Sequence, residues 1–149
     1  MKSLYNATDN QELLTRLDTL TPAAPALWGK MNASQMVAHC QVPIKLGFEE
    51  LVIKRGIIGF LFGKMAKKKL LSDAPFEKNL PTFKEARIKH QPDFGTEKEK
   101  LAAYIRRMAT GGPEAITKKP HPFFGPLTTH EWDQLQYKHL DHHFKQFNI

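Results

Sequence analysis

The run His139-Leu-Asp-His142-His143-Phe-Lys-Gln146 near the end of the chain places two histidines four residues apart. On an α-helix such residues lie on one face with adjacent side chains, so His139 and His143 are spaced to grip one metal ion. Projected at about 100° per residue, Trp132, Leu135, His139, His143, Gln146 and Phe147 share one arc. Gln134, Lys138, Asp141 and Lys145 take the opposite side, and His142 falls at the rim of the arc, behind or beside a site rather than in it. A single histidine on an apolar face is most often a neutral, hydrogen-bonded core residue. For a pair the balance changes: two imidazoles and Gln146 carry several polar atoms whose burial costs free energy, and one cation satisfies both ring acceptors together.

A third candidate ligand is His39, central on an arc of Met36, Val42, Pro43 and Leu46. Pro43 cannot donate the helical hydrogen bond that the His39 carbonyl would accept, which predicts a bend or loosening there. Alone, His39 reads as a core histidine and Pro43 as a packing kink. Three neutral imidazoles from two helices would leave coordination positions open, the mark of a reactive rather than a closed structural site. Nitrogen ligation suits zinc, nickel, copper or iron(II). At zinc, water ionising near neutral pH or a thiol held as thiolate would be the activated species. Cys40 is rotated about 100° from His39 and reads as a small core residue. Glu131 reads as a capping residue before a base, and Asp141 points away from the histidine face.

Four helices are expected to position these groups. Asp9 and Glu12 have capping-box spacing ahead of a Leu13, Leu14, Leu17, Leu20 stripe that Pro22 stops. Asn32 with Gln35 opens a second helix reaching Phe48. Thr96 with Glu99 opens a third, striped by Leu101, Tyr104, Ile105 and Met108 and ended at Gly111-Gly112-Pro113. Thr128 with Glu131 opens the last, with Leu127 and Trp132 placed as a hydrophobic staple. Between the second and third, Leu51 to Leu71 reads as a helix broken by Gly56, Gly59 and Gly63, and Asp73 to Gly95, with Pro75, Pro81 and Pro92, as an irregular surface connection. No segment alternates with period two. The expected fold class is all-α, a four-helix bundle with long connections.

At 149 residues and 41% hydrophobic content the chain suits one domain with its own core. Its single cysteine excludes an intramolecular disulfide, and residues 1–10 lack the apolar stretch of a signal peptide, so a cytoplasmic location is expected. The apolar run from Gly56 to Gly63 is far shorter than the roughly 20 residues that cross a bilayer. Of the net charge of +7, six positives come from Lys54, Arg55, Lys64, Lys67, Lys68 and Lys69 within the acid-free stretch Leu51 to Leu71. That patch could rest on an anionic membrane or meet an anionic ligand, but its glycines blunt a regular amphipathic face, and solvated lysines over a buried apolar side are favoured. No nucleic-acid-binding motif accompanies the charge.

His39 with His139-x-x-x-His143 resembles the DinB/YfiT-like superfamily of metal-dependent enzymes, within a branch of unknown function. The likeness covers nearly the whole chain. It is most specific at Trp28-Gly-Lys-Met31 leading to Gln35-Met-Val-Ala-His39, at Asp73-Ala-Pro75 with Asn79-Leu-Pro81-Thr82, and from His121-Pro-Phe-Phe-Gly125 through Glu131-Trp132 to Gln146. The resemblance implies a bundle of up-down-down-up topology in which His39, His139 and His143 hold a divalent ion, commonly zinc or nickel. It implies a small-molecule substrate and a homodimer. Some members are thiol transferases using small-molecule thiols such as bacillithiol or mycothiol, one is a thiol-dependent isomerase, and others are regarded as hydrolases. The expected function is thus metal-dependent activation of water or a small thiol, against the alternatives of a non-enzymatic, stress-related metal-binding bundle or a peripheral membrane protein. His130 departs from the family pattern and is expected to be exposed, and His90 is expected to be a loop residue. His121 is a candidate acid/base or substrate-contacting group, with a structural loop histidine the commoner outcome.

Overall fold

The computed structural model describes residues 2–54, 56, 63–68, 71–72, 74–82 and 84–149. Besides the helical residues 63–68, four α-helices lie among them: α1 (Ala7–Thr19), α2 (Ala33–Gly47), α3 (Phe94–Gly111) and α4 (Thr129–Gln146). A short 3-10 turn, Pro113–Ala115, follows α3. No strand occurs among the described residues, and the fold class is all-α.

Local chemistry explains the helix starts. Asn32 and Thr128 each accept from the backbone N–H three residues on, and Gln35 and Glu131 return the bond, closing the two expected capping boxes. The other two helices begin one turn earlier than their box spacing predicts. Asn6 caps α1 by accepting from Thr8 and Asp9, so Asp9 lies inside the helix; Asp93 caps α3 by accepting from Thr96. In both cases a competent cap stands just upstream, and the longer helix gains hydrogen bonds without losing its cap.

The helices surround one apolar cluster built from Leu13, Leu17, Met36, Leu101, Ile105, Leu140 and their neighbours. Helix α1 packs on α3 and α4, and α2 packs on the same two. Asn10, buried inside α1, ties this arrangement by donating to the Leu4 and Ile105 carbonyls. Pro43 lies within α2 as expected, and its carbonyl accepts from Gln136 of α4 at 2.8 Å.

The described part of the connection between α2 and α3 over 74–93 is irregular and mostly exposed, as expected, with one buried anchor. Ala86, midway along 74–93, is 1% exposed. Residues 51–54 are not helical, whereas 63–68 are; the rest of the broken helix expected for 51–71 lies largely outside the described residues. Segment 63–68 docks on the turn after α3: a Cβ on Gly63 would stand 2.1 Å from the Phe123 carbonyl oxygen, so only glycine allows this approach. Lys67 reaches the Pro126 carbonyl and Glu131 and is therefore anchored rather than simply solvated. Among the described residues no helix is long and apolar enough to cross a membrane.

Candidate metal centre

Helix α2 supplies His39 and α4 supplies His139 and His143, one turn apart. The three offer ligand atoms that all lie within 4.8 Å of one another. The Nε2 atoms of His39 and His139 are 3.1 Å apart, and the His143 ring lies edge-on to both partners, at centroid distances of 4.7 Å. His39 and His143 are buried and His139 is intermediate in exposure.

Hydrogen bonds set the protonation of two of the rings. His39 Nδ1 lies 2.7 Å from the Ala86 carbonyl. A carbonyl only accepts, so Nδ1 carries the proton and Nε2 presents a lone pair. His143 Nδ1 lies 2.8 Å from Gln146 Oε1, while Gln146 Nε2 donates to the Trp28 carbonyl at 2.6 Å. The Trp28 carbonyl thereby assigns the amide orientation, Gln146 Oε1 is an acceptor, and His143 also donates from Nδ1. Both rings turn a basic Nε2 to the outside of these bonds, the arrangement that carbonyl and amide partners impose on metal-binding histidines.

Burial keeps all three rings neutral. Desolvation, with smaller contributions from the neighbouring imidazoles, holds His139 well below the ordinary histidine range and lowers His143 to about 3. His39 is lowered by burial against the opposing pull of its Ala86 bond. His139 can donate from Nε2 to the lone pair of His39, and its buried Nδ1 has no hydrogen-bond partner among the described residues. Three neutral nitrogen donors fit a borderline divalent ion. Tetrahedral ligands about 2.0 to 2.1 Å from zinc stand roughly 3.3 Å apart, which lies within the spread between the ligand atoms here.

No carboxylate joins the cluster among the described residues. Asp141 is engaged by Arg16 and Lys145, and Glu131 by its capping box and Lys67. Cys40 is buried against Met36, and burial pushes its thiol far above the usual range. His130 is exposed and bonded to Gln134, and His90 is exposed with its carbonyl accepting from Gln35.

His121 lies in a turn rather than in the triad. Its backbone pairs with Gly125 in both directions, its Nδ1 accepts from the N–H groups of Phe123 and Phe124, and its ring stacks on Phe124 and leans on Trp132. Burial lowers it to about 4.

His142 occupies the expected rim. Its ring contacts His143 at 5.1 Å, Trp28 at 5.5 Å and Phe76 at 5.9 Å between centroids. On its outer side is a cleft of about 220 Å³ whose walls include Trp28, Phe76, Lys78, Lys138, His142 and Lys145.

Sequence patterns did not reveal the roles of Ala86 and Trp28, because each acts through a backbone carbonyl that carries no side-chain signature. Gly29 was the available clue. Its φ of +81° suits glycine, and a Cβ there would sit 2.6 Å from Gln146 Nε2, so the chain approaches the α4 amide closely at this point.

A family model described as "Protein of unknown function (DUF1569)" matches residues 2–148. No curated protein and no solved structure matches the chain.

Proposed function

This chain belongs to the DUF1569 family, whose function is unknown, and we propose that it is a metal-dependent enzyme acting on a small molecule. In this reading His39, His139 and His143 hold one divalent ion, zinc or nickel. The helices take the up-down-down-up bundle order that the superfamily resemblance implies. The observation that carries the reading is the pair of bonds from His39 to the Ala86 carbonyl and from His143 to Gln146, which leave two ring lone pairs available beside a third neutral imidazole. Such bonds commonly orient metal-binding histidines, and their loss typically weakens metal binding by about 10- to 100-fold.

When bound, the ion supplies Lewis acidity toward water or a small thiol. The chain's own residues do the rest. Ala86 and Gln146 orient two ligands, and the cleft beyond His142 supplies room for a substrate. The three-residue donor set leaves space for an exogenous ligand, unlike a closed four-residue structural site.

The test is elemental analysis of untagged, purified protein beside His139→Ala. The expected result is about one divalent ion per chain in the parent protein, and loss of that ion in the variant with helical circular dichroism retained. Full metal retention by His139→Ala would overturn the proposal.

A further inference from the structure

We infer that the cleft between Trp28, Phe76 and His142 binds a small molecule with a flat apolar body and one anionic group, which Lys78 recognises. The inference deepens the proposed function by naming a substrate class, and it rests on that reading only for the claim that the ligand reacts.

The walls are chiefly apolar. Trp28 and Phe76 both contact the His142 ring, so three flat groups bound one space. At about 220 Å³ the cleft is smaller than the roughly 300 to 1,000 Å³ typical of drug-sized ligands, which restricts the occupant to about one ring or a short chain. Flat walls favour a flat ligand, because offset and edge-to-face contacts add to simple burial.

Among the described residues the rim is cationic: three lysines line the cleft against one aspartate. Two of the lysines are committed. Lys145 pairs with Asp141, and Lys138 donates to the Ser72 and Ala74 carbonyls while lying over Phe76. Lys78 differs. Its ammonium lies 4.6 Å from the centre of the Trp28 ring, and among the described residues no carboxylate pairs with it. The aspartate among these described lining residues, Asp141, is already held by Arg16 and Lys145. An anion placed at the edge of the Trp28 ring would therefore meet a cation with no competing carboxylate among the described residues, and the ligand body would lie against the aromatic walls.

The cleft is also coupled to the triad through Trp28. Its indole forms a wall, while its carbonyl accepts from Gln146, the residue that holds His143. A ligand in the cleft thus lies one residue, His142, away from the metal-binding ring of His143.

The test uses benzoate and its neutral isostere benzamide, titrated into chelator-treated, 15N-labelled full-length protein. The Trp28 indole N–H signal is followed, assigned by its absence in Trp28→Phe, with the signal of buried Trp132 as an internal control. Benzoate is expected to shift Trp28 and to bind about fivefold more tightly than benzamide, the size of one solvent-exposed charge contact. Lys78→Gln is expected to abolish that difference while leaving benzamide binding within twofold. Equal affinity for the two probes, an unchanged preference in Lys78→Gln, or shifts at Trp132 without shifts at Trp28 would each overturn the inference. Because metal is absent throughout, benzoate binding by a protein that fails the metal test refutes only the metal reading, and metal binding without benzoate binding refutes only the cleft.

Discussion

The side-chain amide of Gln146 donates to the carbonyl of Trp28 across 2.6 Å, joining the end of the last helix to a connection 118 residues earlier in the chain. This bond fixes which end of the amide faces His143, and so which ring nitrogen of His143 is protonated. Gln146→Ala is expected to leave the fold intact but weaken zinc binding by about 10- to 100-fold. Gln146→Glu, which keeps an acceptor for His143 but loses the donor to Trp28, should fall between the two. Competition against a chromophoric chelator gives the three affinities; equal affinity in the parent protein and Gln146→Ala would refute this role.

Gly63 is predicted to be intolerant of even one methyl group. An alanine Cβ would collide with the Phe123 carbonyl, and backbone yields less readily than a flexible side chain. Overpacking of this kind costs about 1 to 3 kcal/mol. Gly63→Ala should lower stability in urea unfolding by that amount, whereas Gly56→Ala, where a Cβ meets nothing within 4 Å, should change it by less than about 0.5 kcal/mol. Equal effects at both positions would remove the claim that segment 63–68 docks through its glycine.

Acid should destabilise the protein partly through His121. Its ring is neutral in the fold, with its affinity for a proton lowered by burial to about 4, against about 6.5 in the unfolded chain. The unfolded state therefore takes up the proton first as pH falls, and stability drops between pH 6.5 and 4. At about 1.4 kcal/mol per pH unit the loss reaches at most roughly 3 kcal/mol from this residue. His143 acts in the same direction in metal-free protein, over a range extending to about 3. Urea unfolding in chelator at pH 7 and 4.5 should show a smaller pH-dependent loss in His121→Asn, by about 2 kcal/mol. An unchanged slope would mean that His121 is solvated and titrates normally.

Much of the site was legible because it depends on local geometry. The α-helix alone places His139 and His143 side by side, and capping chemistry alone locates the starts of α2 and α4 at Asn32 and Thr128. The apolar arc on α2 correctly turned His39 inward, since a helix face that carries Met36 buries whatever else it carries. The same local rules misplaced the starts of α1 and α3. Box spacing at Asp9 and Thr96 says that a helix could begin there, but not whether Asn6 or Asp93, just upstream, offers a cap to a longer helix.

By itself, then, the sequence determined the helix faces, two of the four helix starts and the identity of the three candidate ligands, all of which follow from interactions within about one helical turn. Only the tertiary structure decided that the ligands converge, that the Ala86 carbonyl and Gln146 set the protonation of His39 and His143, and that Trp28, Phe76 and Lys78 meet beside His142. The physical reason is that these relationships run through backbone carbonyls and packed loops distant in sequence. A carbonyl is common to every residue, so its role becomes visible only when the chain has brought a specific ring or amide within hydrogen-bonding distance of it.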